Sequence, residues 1–250
     1  MNPSVEVEVS SQAPFSPELA REQRPRKARR FEFGMSIAFL ATALCGFAPS
    51  YYLKAAFPTP PLPPLVHLHA LLFTSWLVLL LVQSSLIRAH RVELHRRFGL
   101  AGAALALALV PVGLATAIHA ARAGITAAGR NPMDLLVFQV GALLLFLGFV
   151  LTALVLRKRP EAHRRLMLLA TVSIIPPAIA RLPLVAMRPV LALLLSTTFV
   201  LVGVVHDFKV RGRVHPTYVW GGLLILVSGP LRFLVGQTSA WHAFARFLVG

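Results

Sequence analysis

Long apolar stretches alternate with short polar turns along most of the chain. The clearest stretch runs from Val66 to Ile87 without an acidic or basic residue, histidines aside. At about 1.5 Å per residue, a helix of that length crosses a hydrocarbon core of about 30 Å. We place seven such spans at residues 34–53, 64–88, 98–121, 133–156, 164–186, 189–206 and 216–235. The pattern predicts an all-α membrane protein with seven transmembrane helices.

The polar turns between these spans differ in their positive charge. Eighteen of the 25 lysines and arginines fall in the N-terminal arm and in the turns after spans two, four and six, and seven fall on the opposite side. Because basic residues collect on the cytoplasmic side, the N-terminus is predicted to be cytoplasmic and the C-terminus periplasmic. This predicts a multi-pass protein of the bacterial inner (cytoplasmic) membrane.

The first 30 residues differ from the rest of the chain. They are polar, they contain Pro14, Pro17 and Pro25, and they end in a basic cluster. We predict a disordered basic cytoplasmic arm over residues 1–30, followed by a transmembrane domain over residues 31–250. An arm that binds nucleic acid or a protein partner is the alternative interpretation.

Composition supports the membrane interpretation. Apolar residues make up 56% of the chain and charged residues 14%, whereas a soluble domain has about a quarter charged residues. The net charge of +16 would suggest nucleic acid in a soluble chain. Here the basic residues lie between apolar spans, where they set topology and contact anionic lipid, so no nucleic-acid partner is expected.

A short motif recurs in the turns on the basic side. Residues 93–97 read ELHRR and residues 161–165 read EAHRR, and both lead into an apolar stretch. Residues 213–216, RVHP, are a looser version. This suggests that hairpins 2–3, 4–5 and 6–7 are repeats of one another, with span one outside the pattern.

Span two carries a polar stripe. His69, Trp76, Gln83 and His90 recur every seven residues, a spacing that drifts by only about 20° per step on a helix. Because a polar stripe is costly in contact with lipid, we expect these side chains to face other helices.

The chain is rich in histidine, with nine residues, and their positions suggest a cofactor site on the outer side. His69 in span two and His119 in span three lie at similar depths if the two helices are antiparallel. Two histidines on facing helices are suited to axial ligation of a b-type haem. Arg181 and Arg232 lie at the same depth and would pair with the haem propionates.

Other interpretations of the histidines remain open. His67, His69 and His119 would form a copper or zinc site if the start of span two is extended. A second haem on the inner side would lie between His90 or His95 and His206 or His215. The alternative to ligation is that histidine, being amphipathic, simply favours interfaces and basic turns.

The two complete copies of the repeated motif predict anion binding. Each places a histidine and two arginines at a helix start, where the helix dipole attracts anions such as lipid phosphate. The residues concerned are His95, Arg96, Arg97, His163, Arg164 and Arg165.

Several elements resemble a family of bacterial multi-spanning membrane proteins. They are H-x-H at residues 67–69, LHRRFG at 94–99, AHRRLM at 162–167 and GRVHP at 212–216. The resemblance covers the chain from His67 onward and carries no established activity. The histidines at helix ends are also similar, as a distant analogy, to those of two-haem b-type membrane cytochromes.

These observations lead to one functional hypothesis and two rivals. The hypothesis is a membrane protein that binds b-type haem through histidines at helix ends and takes part in membrane electron transfer. The first rival is a non-enzymatic accessory or scaffold subunit that contacts other subunits of a larger membrane complex. The second is a small-solute transporter. In each case the lipid bilayer and its anionic lipids are the expected surroundings.

Overall fold

A computed structural model describes residues 17–57, 61–125, 131–185 and 188–250, and all regular structure in these ranges is helical. The α-helices are α1 Pro17–Phe47, α2 Pro64–Arg88, α3 Val92–Arg122, α4 Pro132–Val155, α5 Pro160–Ile174, α6 Pro176–Ala180, α7 Pro189–Arg211, α8 Pro216–Gly236 and α9 Ser239–Val249. A π-helical turn, Ala48–Tyr52, continues α1, and a 3₁₀ turn, Lys54–Ala56, follows it. The predicted all-α class is confirmed.

Six helices of the described chain are long and apolar enough to cross a membrane. They are α1 with its π turn, α2, α3, α4, α7 and α8. The predicted span at 164–186 is not one long helix, because the chain breaks at Ile175 between α5 and α6. Pro176 and Pro177 have no amide hydrogen to continue the hydrogen bonding of α5, which explains the break.

The predicted disordered arm differs from the structure where the two can be compared. Residues 1–16 lie outside the described residues, but the chain is helical from Pro17 onward and continues into the first long helix. Leu, Ala, Glu, Gln, Lys and Arg dominate this part of α1, and all favour helix. Ala28 is buried, so the predicted arm already packs against the bundle before the apolar span begins.

Prolines and polar caps define where several helices begin. Pro64, Pro132, Pro160 and Pro216 each occupy the first helical position, where the missing amide hydrogen costs nothing. Asn131 caps α4 by accepting a hydrogen bond from the Met133 amide at 2.9 Å. The successive long helices α1 to α4 each pack against the next one in the chain.

Polar contacts show which helix ends lie together. Glu32 in the middle of α1, Arg164 at the start of α5 and Arg211 at the end of α7 meet at one end of the bundle, the cluster end. At the opposite end, the cavity end, α9 packs on the start of α4, where His242 lies 3.2 Å from Asp134. Since α6 packs on the far part of α1, α5 and α6 together run from the cluster end to the cavity end.

The polar stripe of α2 faces protein at three of its four residues, and the prediction is wrong for His90. The Trp76 side chain is 2% exposed and its Nε1 donates to Thr171 Oγ1 at 3.1 Å. His69 lines an internal cavity and the Gln83 Oε1 atom is buried. His90 ends the stripe, since it is exposed in the turn after α2 with a φ of 60°.

The repeated motif has the same local register in two of its three copies. His95 and His163 are each the fourth residue of their helix, α3 and α5, and their ring centroids lie 6.4 Å apart. His215 instead caps α8 from outside, with its Nδ1 accepting from the Thr217 amide at 3.2 Å. The looser third copy therefore differs in register as well as in sequence.

Candidate functional site

A cavity of about 240 Å³ lies between helices at the cavity end of the bundle. Residues of α1, the π turn, α2, α4 and α6 line it, together with Gly113 of α3. Most of the lining is apolar, as at Ala43, Phe73 and Leu143. It is therefore suited to the apolar part of a small molecule.

The first half of helix α2 lines the cavity through one face. His69, Phe73 and Leu77 are spaced by four residues and all contact the cavity. The rings of His69 and Phe73 stack with centroids 4.1 Å apart. Eight residues of helix rise about 12 Å, so this face forms an elongated wall that runs from the cavity end toward the middle of the bundle.

Three polar atoms at this cavity are buried and have no hydrogen-bond partner within the described structure. They are His69 Nδ1, Ser50 Oγ and Gln139 Oε1. Buried polar atoms in folded proteins almost always have a partner, and leaving one without costs about 1–3 kcal/mol. Three such atoms beside one cavity mark it as a place where the described structure leaves polar groups without partners.

Arg181 supplies a positive charge to the same cavity. Its Nη1 donates to the Pro177 carbonyl at 2.8 Å, and its guanidinium lies 4.6 Å from the centroid of the Phe47 ring. No carboxylate of the described chain forms a salt bridge with it. A guanidinium has five N–H donors, so most remain available to a ligand.

Two tyrosines of the π turn complete the cavity wall. The Tyr51 hydroxyl lies 3.2 Å from His67 Nδ1, and the Tyr52 hydroxyl lies 2.5 Å from Thr74 Oγ1. Sequence reasoning missed these residues. The signal was present, because tyrosine is enriched where a helix leaves the membrane.

The structure brings together only part of the predicted outer site. His69 and Arg181 line the cavity, and His67 reaches it through Tyr51. His119 and Arg232 are not among the lining residues. Arg232 is 7% exposed and donates to the Phe138 carbonyl at 3.3 Å and to Ser228 Oγ at 3.0 Å.

This arrangement does not fit the predicted haem. His69 is the one histidine among the described lining residues, so a haem held by two histidines lacks its second axial ligand here. The three-histidine metal site is not assembled either, since the described residues contain no group of three or more His, Cys, Asp or Glu side chains close enough to hold a metal ion.

A buried salt bridge lies at the cluster end of the bundle, opposite the cavity. Arg165 and Asp207 have side chains 3% and 2% exposed. Arg165 Nε donates to Asp207 Oδ2 at 2.9 Å, and its Nη2 bonds the other carboxylate oxygen. Asp207 Oδ2 also accepts from the His215 amide at 3.1 Å. Asp207 therefore joins α5, α7 and the turn before α8.

Glu161 joins further arginines to this pair. Its Oε2 lies 2.7 Å from Arg164 and 2.8 Å from Arg165, and it also pairs with Arg211. Burial alone would raise the pKa of Glu161, but the three arginines outweigh it and hold the pKa below its ordinary value. Glu161 is therefore ionised at neutral pH.

This cluster alters the predicted anion sites. Arg164 bonds Glu32 at 2.7 Å as well as Glu161, and Arg165 is buried, so both are engaged inside the protein rather than by lipid phosphate. Arg96 and Arg97 of the other copy are exposed, although Arg97 pairs locally with Glu93 at 3.2 Å. For Arg164 and Arg165 these internal contacts argue against the predicted role, and anion binding at the start of α3 stays a prediction.

Most histidines near the cluster end have other contacts in the structure, and the inner haem stays a prediction. His95 faces His163, whose Nδ1 lies 2.8 Å from the Ala153 carbonyl. His206 stacks on Phe31 with centroids 3.9 Å apart. Burial, with Arg165 and Arg211 nearby, lowers the pKa of His215 and so favours the neutral ring that its capping role requires.

Fold and site together define a helical protein of the multi-pass membrane type, with an apolar internal cavity at one end and a buried ionic cluster at the other. No protein-family model, curated protein or solved structure matches the chain. The cavity and the cluster are therefore the features of the molecule that bear on its function.

Proposed function

We propose that this chain is an integral membrane protein whose cavity binds a small amphipathic molecule. The observation that carries the proposal is the group of three buried, unpartnered polar atoms in a mostly apolar cavity. An apolar body would contact Phe73, Leu77 and Leu143, while a polar head would complete the hydrogen bonds of His69 and Gln139.

The size of the cavity limits the ligand. Its volume of about 240 Å³ corresponds to about eight water molecules at about 30 Å³ each. That lies just below the usual range for drug-sized ligands, about 300–1,000 Å³. The proposed ligand is thus a short, narrow amphiphile, or the chain of a larger one.

We also propose seven crossings with a cytoplasmic N-terminus. The six long helices account for six crossings, and α5 with α6 accounts for the fifth in chain order. Broken helices occur within membranes where the interrupted backbone faces protein or a cavity. Here the break supplies Ile175, Pro177 and Ala178 to the cavity wall.

Reporter fusions test this topology. A fusion after Arg159 is expected to report a cytoplasmic position and one after Gly250 a periplasmic position, because the basic turns favour the cytoplasm. A periplasmic signal after Arg159, or a cytoplasmic one after Gly250, would require a different number or orientation of crossings.

Filling the cavity tests ligand binding. Ala142→Phe places a ring among the lining residues, and we expect it to abolish specific binding of decan-1-ol, used as a probe, in phosphatidylcholine nanodiscs. Ala115→Phe adds the same ring at an exposed position of α3 and should leave binding intact. Native mass spectrometry, with empty nanodiscs as the background, measures both. Equal decanol binding by the two variants would contradict the proposal.

Small-solute transport is a second candidate, favoured by the break between α5 and α6 at the cavity. Discontinuous helices commonly form substrate sites in transporters. Uptake of labelled probe by proteoliposomes distinguishes transport from static binding. The haem hypothesis has weaker support because one histidine lines the described cavity; a reducible Soret band in the purified protein would restore it.

A further inference from the structure

The charge distribution of the cavity wall identifies the head group of the proposed ligand. The lining includes Arg181 and contains no aspartate or glutamate among the described residues. Arg181 is therefore the charged residue among the described residues of this wall, and its charge is positive. We propose that the cavity takes an amphiphile with an anionic head, held by Arg181, and with a single hydrocarbon chain. This inference rests on the proposed function.

The contacts of Arg181 favour an anion over a neutral head. The Pro177 carbonyl accepts one N–H and the Phe47 ring covers the guanidinium. These contacts position the side chain without neutralising it. Arg181 lies just after α6 and its side chain is exposed, so a ligand can reach the guanidinium. A carboxylate or phosphate ligand would supply the missing opposite charge, often with two parallel hydrogen bonds.

The neighbouring polar groups are able to donate to such a head. Ser50 carries a hydroxyl, and His69 donates from Nδ1 in one of its two neutral tautomers. The orientation of the Gln139 amide can be reversed so that its NH₂ faces the cavity. Each of these groups has a buried atom without a partner in the described structure. These donors therefore suit an anionic head better than a cationic one.

The shape of the cavity favours one chain. The wall from His69 to Leu77 is about 12 Å long, and the volume is about 240 Å³. A volume of this size is enough for one short unbranched chain. Decanoate combines a chain that suits this length with an anionic head.

Paired binding measurements test the inference. In phosphatidylcholine nanodiscs at pH 8, decanoate is expected to bind at least tenfold more tightly than decan-1-ol. Arg181→Gln should remove this preference, whereas Arg181→Lys should keep part of it. Arg188→Gln is the matched control, because Arg188 is exposed near the same end of the bundle and is not a lining residue. Equal binding of the two probes, or an unchanged preference in Arg181→Gln, would overturn the inference.

Two further measurements distinguish a failure of the proposed function from a failure of the anionic head, and a phospholipid ligand from a free carboxylate. If Ala142→Phe leaves the binding of both probes unchanged, the proposed function itself fails. If it abolishes decanol binding while Arg181→Gln has no effect, only the anionic head is wrong. Adding lysophosphatidylglycerol, an anionic phospholipid with one chain, identifies the source: competition with decanoate that requires Arg181 assigns the head to a phospholipid, and its absence assigns the site to a free carboxylate. The anionic head itself is decided by the preference for decanoate over decan-1-ol.

Discussion

Replacing Asp207 with alanine is expected to lower the free energy of unfolding by about 3–5 kcal/mol, the typical cost of removing one partner of a buried ion pair. Arg165 would keep its charge in a site where its side chain is 3% exposed. The same substitution removes the acceptor of the His215 amide and so loosens the start of α8. Unfolding in mixed micelles, followed by circular dichroism, measures the change.

Two controls show whether burial causes this effect. Arg97→Ala breaks an exposed pair with Glu93, and we expect a change of less than about 1 kcal/mol. The double replacement of Arg165 by Met and Asp207 by Leu removes both charges. It should recover much of the stability, because apolar residues of similar size often replace a buried pair without loss. An Asp207→Ala protein as stable as the wild type would disprove the buried pair.

Placing a methyl group at Gly46 is expected to cost about 1–3 kcal/mol, as other overpacked substitutions do. A Cβ there would overlap the Ala178 carbonyl, so α1 and α6 would have to move apart. That carbonyl is backbone and cannot rotate away as a side chain can. Because Pro177, Ala178 and Arg181 line the cavity, Gly46→Ala should also weaken decanol binding.

Gly148 provides the matched control. It also lies within a long helix, and a Cβ at this position meets nothing within 4 Å. Gly148→Ala should therefore be neutral or stabilising by up to about 1 kcal/mol, the helix preference of alanine over glycine. If the two variants unfold alike and both retain decanol binding, the close contact of α1 with α6 is not present.

The long helices were predictable because their signal is local. An uninterrupted apolar run such as Val66–Ile87 indicates a helix, and its length shows that the helix can cross a membrane. The fifth span was predicted as a single span, whereas Pro176 and Pro177 divide it into α5 and α6. The helical state of residues 17–30 was missed because polar composition was taken as disorder, while most of these residues favour helix.

The candidate site was only partly predictable, because depth along a helix does not specify the direction of a side chain. His69 and Arg181 were predicted and line the cavity, whereas His119 shares the end of the bundle but not the lining. Asp207 was missed despite a clear signal, since an acid next to an apolar span is costly unless it is paired. The unpartnered atoms of Ser50 and Gln139 depend on packing between distant segments and have no signature in sequence.

Crystals grown from a lipid mesophase with 10-bromodecanoate would test the binding of an amphiphile in the cavity most directly. The carboxylate is expected beside Arg181, and the bromine should give one anomalous peak about 12 Å away, near Leu77 and Ala43, at the far end of the wall. The peak should vanish in Ala142→Phe and persist in Ala115→Phe. A bromine peak only on the lipid-facing surface, or side chains of the protein filling the space between His69 and Leu77, would contradict the account.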